Sequence, residues 1–152
     1  PEVLVAIGGL AGTSATTGLR TPTITRTRFV VGTTANTDFT ANDANAQIEV
    51  EITFDEQVTV TGSPQLTVTN NDASGGGYGN LTLAYVSADS TANQLRFRKT
   101  SAGIGNTDVL TVSTLALNGG TIRDTAAAAA GNTVNATLTY GSGIAVSKTV
   151  SS

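Results

Sequence analysis

The sequence predicts an all-β fold, an antiparallel β-sandwich preceded by an extended N-terminal arm. Three observations point there. Short stretches alternate apolar and polar residues, as where Ile48, Val50, Ile52 and Phe54 interleave with Glu49, Glu51 and Thr53. Turn-forming groups of Gly, Pro, Asn and Asp recur at roughly ten-residue spacing. No segment carries the long apolar stripe of an amphipathic helix, and no signal asks for a parallel sheet.

Residues 1–21 are mostly Gly, Ala, Thr and Ser, with a short apolar patch at Val3, Leu4, Val5 and Ile7. Such a segment cannot bury enough surface to fold alone, so it is read as an arm that becomes ordered only by packing on another subunit. Residues 22–141 are read as the sandwich and 142–152 as a C-terminal extension.

Within the sandwich, Ile24 and Phe29-Val30-Val31 anchor a first strand that ends near Gly32, and Asn36 to Asn45 reads as a polar loop. Ala46 to Phe54 is the clearest strand, because its apolar residues repeat at period two, whereas a helix would scatter them around its circumference. Val58–Thr61 and Gln65–Thr69 flank Gly62-Ser63-Pro64. A proline there lacks the donor that a central ladder needs, so the segment is a turn or a switch between sheet edges. Asn70 to Gly79, with Gly75-Gly76-Gly77, is expected to be a flexible hairpin loop.

Leu81, Leu83 and Tyr85, then Leu95 and Phe97, mark two further strands joined by a polar turn at Asp89 to Asn93. Val109–Val112 and Leu115–Leu117 lead into Asn118-Gly119, whose residues tolerate the positive φ of a type I′ hairpin turn, and Thr121–Arg123 follows. Five alanines at 126–130 are too short to nucleate a helix and are read as a loop with about one turn. Val134–Tyr140 closes the sandwich, and Ile144–Val150 can add a strand beyond it.

Composition removes whole classes of chemistry. The 152-residue chain has no Cys, Met, Trp or His, and only 12% of its residues are charged. Without His or Cys there is no Ser-His-Asp triad, no thiolate nucleophile and no nitrogen- or sulfur-ligated metal site. No enzyme activity and no cofactor are therefore expected. Eight Lys plus Arg against eleven Asp plus Glu leave a net charge of -3, which argues against a nucleic-acid partner held through phosphates. No apolar run reaches the roughly 20 residues of a helical membrane span, so no membrane partner is expected either. Pro1-Glu2-Val3 reads as the start left after removal of an initiator Met, with export processing already trimmed away as the less simple alternative.

Several groups of residues could form sites. Asp38, Asn42, Asp43 and Asn45 offer oxygen ligands that suit calcium, although these residue types also serve turns by bonding their own backbone. Asp108 and Asp124 carry less weight as ligands. Asp55-Glu56 is an adjacent carboxylate pair that reads as a solvated turn. Arg96, Arg98 and Lys99 could form a basic stripe, but Glu49 and Glu51 offer cross-strand partners, and pairing is the expected outcome. Tyr78 and Tyr140 are the aromatic residues a carbohydrate reading would use. Arg20, Arg26 and Arg28 cluster where the arm meets the domain. They are read either as partner contacts, with Val3, Leu4, Val5 and Ile7, or as charges that protect an edge strand.

One set of motifs adds a family. Phe54-Asp55-Glu56, then Val58, Val60, Gly62, Pro64 and Leu66, Tyr85, Leu95 and Phe97, Leu117-Asn118-Gly119-Gly120, Ile122, Asp124 and Gly131-Asn132 occur in order. In order and spacing they resemble the bacterial immunoglobulin-like repeats of large surface adhesins, which also occur as single modules in bacteriophage virion proteins. The resemblance covers about residues 22 to 141; the Gly75–Gly79 expansion and the alanine run depart from the pattern. It implies an immunoglobulin-like sandwich that works in adhesion, spacing or display, with no shared catalytic residues. Only one copy is present, which favours a stand-alone module with its own attachment device over a tandem adhesin. The expectation is a capsid decoration or cement subunit on the virion surface. Its partners would be the major capsid protein or other virion subunits, and copies of the chain would form a homo-oligomer or assemble on the particle. The alternative is a subunit of an extracellular adhesin or filament at the cell surface.

Overall fold

The computed structural model describes residues 21–152 apart from 33, 36, 37, 130 and 132. The arm residues Val3, Leu4, Val5, Ile7 and Arg20 lie outside the described residues. Those described form an all-β, mostly antiparallel fold. In chain order its strands are β1 (Thr23–Val31), β2 (Thr34–Ala35), β3 (Phe39–Thr40), β4 (Asn42–Phe54), β5 (Val58–Thr61), β6 (Gln65–Asn70), β7 (Leu81–Tyr85), β8 (Gln94–Ile104), β9 (Val109–Ala116), β10 (Thr121–Asp124), β11 (Thr137–Tyr140) and β12 (Ser147–Ser151).

The main sheet runs in the order β11-β1-β4-β8-β7-β6-β9-β12-β3, with β2 also on β1, while β5 and β10 pair separately. The sheet curls until its two flanks meet. Thr27 of β1 donates to the Ile144 carbonyl at 2.6 Å, Tyr140 of β11 donates to the Ser113 carbonyl of β9 at 2.5 Å, and the rings of Phe29 and Phe39 meet edge to face. The inward residues of β4, β6, β7, β8 and β9 fill the enclosed space, among them Val50, Ile52, Phe54, Leu66, Leu83, Phe97 and Leu110. Period two in the sequence thus becomes burial of one face.

Two of the motif segments, Val58–Leu66 and Leu117–Asp124, meet at one corner. β5 opposes β10 with Thr61 across from Thr121, and β6 opposes β9 with Gln65 across from Ala116. The two pairs are one long antiparallel ribbon, broken where Gly62-Ser63-Pro64 faces Leu117–Gly120. Pro64 donates no hydrogen bond, so both strands leave the main sheet there and continue as the separate pair. The backbones nearly touch: a Cβ on Gly62, whose φ is +72°, would lie 2.8 Å from the Gly120 Cα. Asn118 ties the corner by donating to the Ser63 carbonyl at 3.2 Å.

Some expectations hold and others change. Asn118 and Gly119 adopt φ of 50° and 79°, as a type I′ turn requires, and Gly120 N–H closes on the Leu117 carbonyl at 2.8 Å. The strands on either side nevertheless pair elsewhere, because the ribbon corner claims both. The 36–45 region, expected as a loop, contains β3 and the start of β4. Two pairs are parallel, β1 with β11 and β12 with β3. Alternation reports which face is buried and carries no information on strand direction, so this could not be read from the pattern. The alanine run forms one short helical turn, Thr125–Ala129. The strand that Ile144–Val150 could add is present as β12, which pairs with β9 and β3 and buries Val150 in the core.

Candidate functional site

Charged residues at alternate positions of three adjacent strands build an ionic ladder on the outer face of β1, β4 and β8. Register sets it: Glu51 lies between Arg28 on one side and Arg96 on the other, and Glu49 lies across from Arg98. Glu51 Oε1 accepts from Arg28 Nε at 2.9 Å and Arg26 Nη2 at 3.3 Å, while its Oε2 accepts from Arg96 Nη2 at 3.1 Å. Glu49 Oε1 accepts from Arg98 Nη2 at 2.9 Å and Arg96 Nη1 at 3.2 Å, and its Oε2 accepts from Gln47 at 2.7 Å. Arg98 also pairs with Asp89.

This face is not wet. Glu49, Glu51 and Arg96 are buried, although they point away from the main core. The chain leaving β1 covers Arg96, which donates to the Gly32 carbonyl at 2.5 Å. The short turn at Ser87–Asp89 closes the other side, with Ser90 Oγ accepting from the Arg96 backbone N–H at 2.9 Å. Burial opposes the charge on both glutamates, yet the arginine hydrogen bonds outweigh it and hold both carboxyls below the usual range. With every carboxylate oxygen engaged and the pKa values lowered, the cluster is built to hold strands together and not to move protons.

A second carboxylate centre sits at the end of the sheet. Asp108 is fully buried and accepts from the N–H groups of Gly105 and Ser74, at 2.8 and 2.9 Å, and from the Asn70 amide at 2.9 Å. Burial works against its charge, but these donors prevail and hold the carboxyl at about 2. Nearby, Asp72 accepts from the Gly77 and Tyr78 N–H groups, and Tyr78 donates to Asp43 at 2.7 Å. The Gly-rich 70–79 segment, expected as a flexible loop, is therefore stitched down by side-chain hydrogen bonds.

Arg96 and Arg98 pair with the glutamates as expected, and Arg26 and Arg28 join the same cluster through Glu51. Arg26 and Arg28 were not linked to it from the sequence, although their two-residue spacing matches that of Glu49 with Glu51 and of Arg96 with Arg98. Asp55 accepts from the Thr23 N–H and hydroxyl, both at 2.9 Å, which fastens the start of β1. Asn42 Oδ1 accepts from the N–H groups of Ala44 and Asn45, the local bonding a turn uses. Among the described residues no three acidic, His or Cys side chains gather as a metal group. Asp124 accepts from the Ala126 N–H at the helical turn. Burial pushes the Tyr140 hydroxyl up to about 12.

No family model matches the chain, and no curated protein and no solved structure is significantly similar to it.

Proposed function

We propose that this chain is a non-enzymatic structural protein of a bacteriophage virion, a capsid decoration or cement subunit with an immunoglobulin-like β-sandwich. Its arm, residues 1–21, attaches it to the shell, and Arg20, Arg26 and Arg28 flank the attachment. One observation carries the reading: the Val58–Leu66 and Leu117–Asp124 motifs behind the family resemblance face each other along the ribbon and meet at its corner, Gly62, Pro64 and Leu117–Gly120, where their work is architectural. The ionic ladder supports it in the same sense. The chain commits scarce charge to locking three strands, which suits a module that transmits or resists load. Arg26 and Arg28 keep 49% and 30% of their side-chain surface exposed, so they can meet a partner while still bonded to Glu51.

Immunoelectron microscopy tests the reading. An antibody raised against the purified chain is expected to label capsids in a lysate of the host that makes it. Label on cell surfaces or on filaments, with bare capsids, would overturn the proposal in favour of an adhesin or filament subunit.

A further inference from the structure

The edges of the main sheet are protected unequally. β3, at one end, is two residues long and offers little backbone to a stray strand. β11, at the other end, is Thr137-Leu138-Thr139-Tyr140, with neither charge nor proline to discourage pairing. Its one strand partner is β1, so its other edge is open among the described residues. Alongside that edge lies a groove lined by Val112, Ser113, Thr114, Leu138, Thr139 and Tyr140. Tyr140 lines it and donates its hydroxyl to the Ser113 carbonyl of β9 at 2.5 Å. An extended segment laid along β11 would gain backbone hydrogen bonds from the strand and apolar contact from the partly exposed Leu138.

The chain carries a segment that fits. Val3, Val5 and Ile7 repeat at period two, with Leu4 and Ala6 between them, so one face of an extended strand there is fully β-branched and apolar. The spacer argues for delivery between molecules. Pro22 accepts from the Thr137 N–H at 2.9 Å, so the arm is rooted beside the start of β11. A return onto the same β11 needs only a turn of about 2–5 residues, and the fourteen residues between Ile7 and Pro22 are far more than that return requires. Extended, that spacer reaches about 45 Å, beyond the roughly 35 Å diameter of a compact domain of this size.

We infer that residues 3–7 of one copy add as a strand to the open edge of β11 in a second copy, seated over the groove between β11 and β9. The inference rests on the reading of the N-terminal residues as an attachment arm and assigns that arm an acceptor.

The test uses the full chain and two variants, measured by sedimentation equilibrium over a range of concentrations. Val5→Pro removes a donor and breaks the arm strand without touching the described fold. Leu138→Glu places a charge in the groove. Wild-type chain is expected to self-associate, and each variant alone to do so at least about tenfold more weakly. Because each variant keeps the half that the other lacks, mixing them should give a one-to-one heterodimer. This mixing result also separates a blocked groove from a misfolded one. A monomeric wild type, or a Val5→Pro chain that associates like wild type, overturns the inference. Particle binding is scored separately. A Leu138→Glu chain that occupies capsids normally while the wild type stays monomeric in solution would sink the β11 acceptor and leave the capsid reading standing.

Discussion

Glu51 and Asp108 are both buried carboxylates, but opposite means hold them. Glu51 sits mid-sheet and is gripped by the guanidinium groups of Arg26, Arg28 and Arg96, which stand on neighbouring strands. Asp108 sits at the sheet end and is gripped by the N–H groups of Gly105 and Ser74 and by the Asn70 amide. The first arrangement balances charge with charge and locks strands in register. The second spends one negative charge on loop donors that would otherwise be unsatisfied in the interior, and so shapes the loops. Strands and loops are thus fixed by different currencies, and the two should fail differently.

The largest expected effect is at the ladder. Glu51→Ala leaves the Arg96 guanidinium buried with half its ionic partners gone, and is expected to lower unfolding free energy by about 3–5 kcal/mol in urea titration. Asp108→Ala comes next. It strands several buried donors and is expected to cost about 3 kcal/mol, with amide exchange rising at Ser74 and Gly105 before the strands open. If Asp108→Ala loosened the β4–β8 pairing as much as the loops, the division of labour would be wrong.

Acid separates the centres by a smaller step. The folded-state carboxyl of Asp108 lies at about 2 against an ordinary 3.8. A lowered folded value means stability that is complete above about pH 4 and lost as pH falls through about 2, worth about 2 kcal/mol for this group. Glu49 and Glu51 are lowered as well and add to the loss in the same direction. In Asp108→Asn the acid transition measured by circular dichroism should be shallower. The smallest effect is at the rim of the ladder, where Arg26→Ala removes a half-exposed partner of Glu51 and should cost under about 1 kcal/mol, less still in high salt.

Legibility in the sequence divides along the same line. The ladder was readable in outline because Glu49, Glu51, Arg96 and Arg98 alternate with core residues, and period two assigns them to one face. Their burial was not, since it depends on Gly32 and the Ser87–Asp89 turn arriving over that face from elsewhere in the chain. Asp108 was visible only as a weak ligand candidate, because its partners, two backbone N–H groups and the Asn70 side chain, take their positions only once the loops are folded. The turn at Asn118-Gly119 was legible in its φ values, while the pairing of its flanking strands was not. Local conformation is encoded locally, but the choice of partner strand is made by the whole ribbon.

The proposed cement role requires that residues 1–21 attach the chain to a capsid. Its most direct measurement is occupancy on capsids stripped of the subunit, comparing the full chain with a chain beginning at Thr21 whose circular dichroism shows it folded. The full chain should saturate the particles and the shortened chain should wash off. Equal occupancy by both would contradict the account.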